Sequence, residues 1–126
     1  MLGLEKKMKR KNKASAMYVH IPFCKSICSY CDFAKVFYNE DYANRYIDVL
    51  LLQIENDKLD NLSSIYVGGG TPSALNHSLL ERLLKCLSNL LSVDGEFCIE
   101  VNPETIDEEK MNLFAKYGVN RLSIGV

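Results

Sequence analysis

Residues 18–33 read YVHIPFCKSICSYCDF, and the remaining motifs of the chain are arranged around them. Cys24, Cys28 and Cys31 stand in a C-x3-C-x2-C spacing directly after a short apolar run. Thiolates this close together in sequence are expected to converge on one metal centre. Four cysteine thiolates would close a four-iron cluster. Three leave one iron open, as a catalytic metal site keeps a position for its substrate. A second reading stays open on these residues alone: His20 and the three cysteines make a zinc set of three sulfurs and one nitrogen. Their spacing, however, is unlike the usual finger pairs. A disulfide framework is weaker, because five cysteines is an odd number and no secretory signal precedes them.

Upstream of the cysteines, Ala16 to Ile21 reads as a first strand, with Tyr18, Val19 and Ile21 as strand formers and Pro22 stopping the ladder. Downstream, Asn39 is a good N-cap, and Glu40 and Asp41 suit the positive end of a helix. Tyr42, Tyr46, Val49, Leu50 and Ile54 then recur at three- and four-residue steps as a core stripe. Ile65 to Val67 reads as a second strand and runs into Gly68, Gly69, Gly70, Thr71 and Pro72. A glycine triplet at a strand end lets backbone approach a ligand with no Cβ in the way. Asn76 caps a second helix, whose broad apolar face runs from Leu79 to Leu91 and takes in Cys86. Asp94-Gly95 reads as a turn before a third strand, Glu96 to Val101. There Phe97, Ile99 and Val101 share one face, and Cys98 and Glu100 the other. Glu100 is a carboxylate near the strand's carboxyl end, read either as a ligand group or as a structural partner of Arg121 or a backbone amide. Thr105 and Glu108 fit a capping box for a third helix packed by Met111, Leu113, Phe114 and Tyr117, and Gly118 ends it. Val119 to Val126 begins a fourth strand.

The cysteine string with its VHIPFC and YCDF flanks, GGGTP at 68–72 and EVNPE at 100–104 resemble the radical S-adenosylmethionine (SAM) superfamily. They are most similar to the branch that holds the oxygen-independent coproporphyrinogen III oxidases and the HemW-like heme chaperones. The resemblance implies a [4Fe-4S] cluster on Cys24, Cys28 and Cys31, with the open iron holding SAM by its amine and carboxylate. It also implies that an electron from the cluster splits SAM into methionine and a 5'-deoxyadenosyl radical. By the same resemblance Gly68, Gly69, Gly70 and Thr71 hold the methionyl part, and Glu100 is a SAM ligand. Tyr18 and Tyr30 are the aromatic candidates on the cofactor side; Tyr30 reads either as a stack for an adenine or as an ordinary half-buried tyrosine. Heme or a porphyrinogen and an electron-donor protein are the implied partners. His20 is a candidate heme ligand, with the loop backbone as its other candidate partner. The oxidase pattern has a further cysteine where this chain has Phe33, which favours the chaperone.

Composition sets the outer bounds. The 126 residues are 48% hydrophobic and 25% charged, as in an ordinary globular domain. No run of about 18 apolar residues exists to span a membrane. Lys6, Lys7, Lys9, Arg10, Lys11 and Lys13 concentrate basic charge in residues 1–15, which read as a solvated leader; a nucleic-acid or anionic-lipid contact is the rival reading. The rest is net acidic, so a nucleic-acid groove is not expected there. Free thiols meant for iron imply a reducing compartment, hence the cytoplasm.

Strands alternating with helices call for an α/β fold of parallel β/α units over residues 16–126. The resemblance makes these the first half of a TIM-like radical SAM barrel, since a closed barrel takes about 200 residues or more. On that basis the fourth strand is expected to be an exposed edge, giving marginal stability or association, and this length alone is expected to be inactive.

Overall fold

The structure, a computed structural model, describes residues 15–24, 36–37 and 39–125. In chain order the elements are β1 (Ala16–Ile21), β2 (Phe23–Cys24), β3 (Val36–Phe37), α1 (Glu40–Asp57), β4 (Leu62–Gly69), α2 (His77–Ser88), β5 (Leu91–Val101), α3 (Glu108–Lys116) and β6 (Arg121–Ile124). Short 3-10 turns at Pro72–Ala74 and Pro103–Thr105 follow β4 and β5. The main sheet has the order β1-β4-β5-β6 with every pair parallel, so each helix is the crossover between neighbouring strands. The expected α/β class and element order hold.

One face of the sheet is the core. Val19 and Ile21, Ile65 and Val67, and Phe97, Ile99 and Val101 alternate inward. They meet Ala43, Ile47 and Ile54 of α1, Leu79, Leu80, Leu83, Leu84 and Leu87 of α2, and Phe114 of α3 in one cluster. The caps on α1 and α2 form as read: the Asn39 side chain accepts from the amide of Tyr42 at 3.0 Å, and Asn76 from Leu79 at 2.8 Å. Helix α1 stops where Lys58 enters the left-handed region at φ 51°.

The strand read at Ile65–Val67 extends from Leu62 through Gly69, and α2 stops at Ser88, short of Leu91, which opens the next strand; four further details depart from expectation. The buried stripe of α1 is Ala43, Ile47 and Ile54, while Val49 is 65% exposed. Several apolar residues crowd this helix, and only the sheet decides which ones face it. Second, β5 begins at Leu91, not Glu96. Leu62 pairs with Leu91 and Ser64 with Glu96, so Asp94-Gly95 sits in a bulge rather than a turn. Asn120 holds that bulge, donating to the Gly95 carbonyl at 2.9 Å and accepting from the Phe97 amide at 2.8 Å. Third, α3 is capped by Asp107, which accepts from the Lys110 amide at 2.8 Å; the Thr105 hydroxyl instead donates to the Asn102 carbonyl at 3.0 Å. Fourth, Met111 is exposed and Lys110 is buried in its place. Gly118 does end α3, at φ +83°. Its amide bonds Ala115 at 3.4 Å and that of Val119 bonds Phe114 at 2.9 Å, the paired bonds of a Schellman motif.

Candidate cofactor site

The face of the sheet turned away from the helices carries the residues of interest. Tyr18 pairs with Tyr66, Tyr66 with Cys98, and Cys98 with Arg121 across all four strands. Toward the carboxyl ends, His20 pairs with Gly68, and Glu100 with Ser123. Parallel strands bring these ends to one side, where ligand sites of such sheets form.

Glu100 joins two strands. Its Oε2 accepts the Tyr66 hydroxyl at 2.6 Å and its Oε1 accepts the Gly69 amide at 3.0 Å. Of the structural partners considered for it, the backbone amide is real; Arg121 instead pairs with Glu96 at 3.2 Å. The bond to Glu100 holds the Tyr66 phenol above the usual tyrosine range, with burial adding to it and the Ser123 hydroxyl opposing it. Tyr18 stacks on Tyr66 with ring centres 5.9 Å apart and meets His20 Nδ1 through its hydroxyl at 3.1 Å. Burial raises the Tyr18 phenol, and the nearby Glu100 charge adds to the shift.

The glycine triplet is packed by this chain's own atoms. A Cβ on Gly68 would lie 2.9 Å from the Glu100 carboxylate. One on Gly69, which sits at φ +113°, would lie 2.9 Å from the His20 ring, and one on Gly70 would lie 2.5 Å from the Phe23 carbonyl oxygen. The Gly70 amide bonds the Ile21 carbonyl at 2.6 Å, and the Thr71 amide bonds that of Phe23 at 2.7 Å. The glycines therefore let the end of β4 lie against the stretch that leads into Cys24.

A cavity of about 310 Å³ opens at this end of the sheet, lined by Gly69, Gly70, Thr71, Glu100, Val101, Asn102, Ser123 and Gly125. Four site residues read from the sequence thus meet in one place. Gly68, beside Gly69 in the chain, and Tyr18, stacked on Tyr66, lie on the same face but outside its lining. Asn102, Ser123 and Gly125 were missed. Asn102 stands within the EVNPE string, two residues past Glu100, whereas Ser123 reaches Glu100 only through strand register.

Of the cysteines, the backbone of Cys24 lies in β2, beside Thr71; Cys28, Cys31 and Tyr30 lie outside the described residues. The ends of that segment are joined by parallel pairing of Phe23 with Val36 and Cys24 with Phe37. Phe23 is fully buried and meets the rings of Tyr42 and Tyr46 edge-on, at 5.5 and 5.4 Å. The Tyr46 hydroxyl donates to the His20 carbonyl. Burial raises the thiols of Cys86 and Cys98, so neither supplies a ready thiolate. Among the described residues no helix is long and apolar enough to cross a membrane.

A family model described as the Radical SAM superfamily matches residues 18–126. The chain is 41% identical over 116 residues to the heme chaperone HemW of Lactococcus lactis, covering 90% of this chain and 31% of the relative. It is 37% identical over 116 residues to the heme chaperone HemW of Bacillus subtilis, covering 86% of this chain and 31% of the relative. Among solved structures, the coproporphyrinogen III oxidase (HemN) of Escherichia coli, titled a radical SAM enzyme, matches with a TM-score of 0.80 and 31% identity. That match covers 100% of this chain and 31% of that one. The four parallel strands and their helices correspond to the N-terminal portion of its TIM-like barrel. The chain spans about a third of the length of the curated relatives it matches.

Proposed function

This chain belongs to the radical SAM superfamily, and on that premise we propose that it acts as a heme chaperone of the HemW type. In this reading Cys24, Cys28 and Cys31 hold a [4Fe-4S] cluster, and SAM occupies the cavity beside Glu100. The superfamily as a whole implies both groups. One observation carries their placement here: Gly69, Gly70, Thr71 and Glu100, from two separate stretches of sequence, line one cavity next to the backbone that leads into Cys24.

The lining suits such a ligand. Glu100 supplies a carboxylate for a cation, and Thr71, Asn102 and Ser123 supply polar groups for an amino acid and a sugar. Gly69 and Gly70 leave the wall bare of side chains. When bound, the pair of cofactors supplies one-electron cleavage of a carbon–sulfur bond. The protein's part is to fix the pieces. The Gly69 amide and Tyr66 hydroxyl hold the Glu100 carboxylate in one orientation. The Phe23 contacts hold the start of the cysteine segment against Thr71.

The heme assignment follows the relatives named heme chaperone HemW and the Phe33 position, where the oxidase pattern has a further cysteine. A porphyrinogen substrate is the second reading, favoured by the solved relative titled coproporphyrinogen III oxidase. An electron-donor protein and the reducing cytoplasm complete the proposal.

Oxygen-free reconstitution with iron and sulfide tests it. The protein should gain broad absorption in the blue and bind added heme, and Cys28→Ala should abolish the absorption. Zinc bound without sulfide would overturn the cluster reading. Loss of carboxylate from added coproporphyrinogen would favour the oxidase.

A further inference from the structure

Lys110 is only 7% exposed, and its ammonium donates to the Ser73 carbonyl at 2.6 Å and the Thr105 carbonyl at 2.9 Å. Ser73 lies in the segment after β4 and Thr105 in the segment after β5. The same two segments meet again through side chains. The Asn102 amide donates to Ser73 Oγ at 3.1 Å, and the Ser73 and Thr105 hydroxyls bond each other.

This is a costly place for a lysine. Burial penalises its charge. It also stands in the first turn of α3, where the helix dipole disfavours a cation. Beyond its attraction to the Asp107 carboxylate, helix formation gives no reason for it, and a methionine here would carry no charge to bury. What the charge achieves is to bridge two carbonyls from neighbouring strand-end segments. Those segments form two walls of the cavity, Gly70 and Thr71 on one side and Asn102 on the other.

We propose that Lys110 is a positioning residue that ties the two strand-end segments together and so sets the shape of the SAM cavity. The ligand named here rests on the proposed function; the tie between the segments does not. Without the tie, the two walls must be ordered when the ligand binds.

The test uses the cluster-loaded protein and its Lys110→Met and Lys110→Arg variants. Hydrogen exchange without ligand should quicken in Lys110→Met at residues 71–75 and 102–106, and stay slow at Val67 and Ile99. SAM affinity should fall on the order of tenfold, because wall ordering is then charged to binding. Cluster absorption should be unchanged, and Lys110→Arg should recover both properties in part. Unchanged exchange in the two segments, or loosened segments with undiminished SAM affinity, would overturn the proposal. Exchange that quickens throughout the chain in both variants would reduce Lys110 to general stability and overturn it as well. Wild-type protein that binds no SAM would overturn the proposed function and the ligand named here, while the exchange comparison would still decide whether Lys110 ties the segments.

Discussion

The Oε1 of Glu100 accepts the amide of Gly69 at 3.0 Å, so an acidic group on one strand fixes the glycine turn at the end of its neighbour. The other carboxylate oxygen is engaged by Tyr66 at 2.6 Å. Glu100→Ala removes both acceptors and leaves the Gly69 amide and the Tyr66 hydroxyl unmatched. Urea unfolding should show a loss of about 1–3 kcal/mol, the cost of stranding a partly buried donor. A loss near zero would mean that the carboxylate does not hold the turn.

The same pair sets an alkaline limit. Tyr66 donates only while protonated, and its bond to Glu100, first among the causes, raises its pKa above the unfolded value. The sign follows: this contribution is fully present below the unfolded tyrosine pKa of about 10 and is lost as pH climbs through the higher folded value. The stability gap between wild type and Tyr66→Phe should be constant near neutrality and shrink above pH of about 10. Tyr18 and Tyr46, both raised mainly by burial, leave some alkaline slope in the variant. Unfolding midpoints measured at several pH values decide it, and a gap that widens above pH of about 10 would contradict the assignment.

Gly70 and Gly118 should respond differently to alanine. At Gly70 the new Cβ would stand 2.5 Å from the Phe23 carbonyl oxygen, against backbone that leads into Cys24. Gly70→Ala should cost about 1–3 kcal/mol or more and lower iron and sulfide content after reconstitution. At Gly118 nothing lies within 4 Å, and only the φ of +83° resists a side chain. Gly118→Ala should cost about 1–2 kcal/mol and leave cluster content untouched. Thermal melts with iron and sulfide analysis separate the two.

On α1 the contrast lies between neighbouring residues. Ile47 is fully buried and Val49 is 65% exposed. Ile47→Ala should cost about 2–5 kcal/mol, and Val49→Ala should stay within about 0.5 kcal/mol. Equal losses in urea unfolding would return the core stripe to the position first expected from spacing.

The order of strands and helices was legible because three strands of the main sheet run into local signals: Pro22 after Ile21, the glycines in which β4 ends, and Pro103 after Asn102. The caps at Asn39 and Asn76 were legible for the same reason. The Asp94-Gly95 bulge was not, because its shape comes from pairing with β4 and from Asn120, which lies some 25 residues further along. Thr105 and Asp107 both offer N-cap side chains, and the turn begun at Pro103 gives the position to Asp107. Glu100 and the glycines could be named as site residues, but Ser123 enters the cavity through register, which local pattern does not encode. Lys110 follows two glutamates, and nothing in its local sequence marks it for burial. Only the fold brings the Ser73 and Thr105 carbonyls around it.

The parallel pairing of β2 with β3 has a bearing on assembly. Residues 25–35, which carry Cys28 and Cys31, lie in sequence between Cys24 and Val36, and Val36 pairs with Phe23. Closing a segment of this length costs chain entropy that grows only slowly with its size, about (3/2)RT ln n. Backbone pairing at its two ends and the Phe23 aromatic contacts offset part of that cost. On the proposed cluster reading, iron would meet a segment whose two ends are already joined, so metal loading would follow folding of the domain rather than nucleate it.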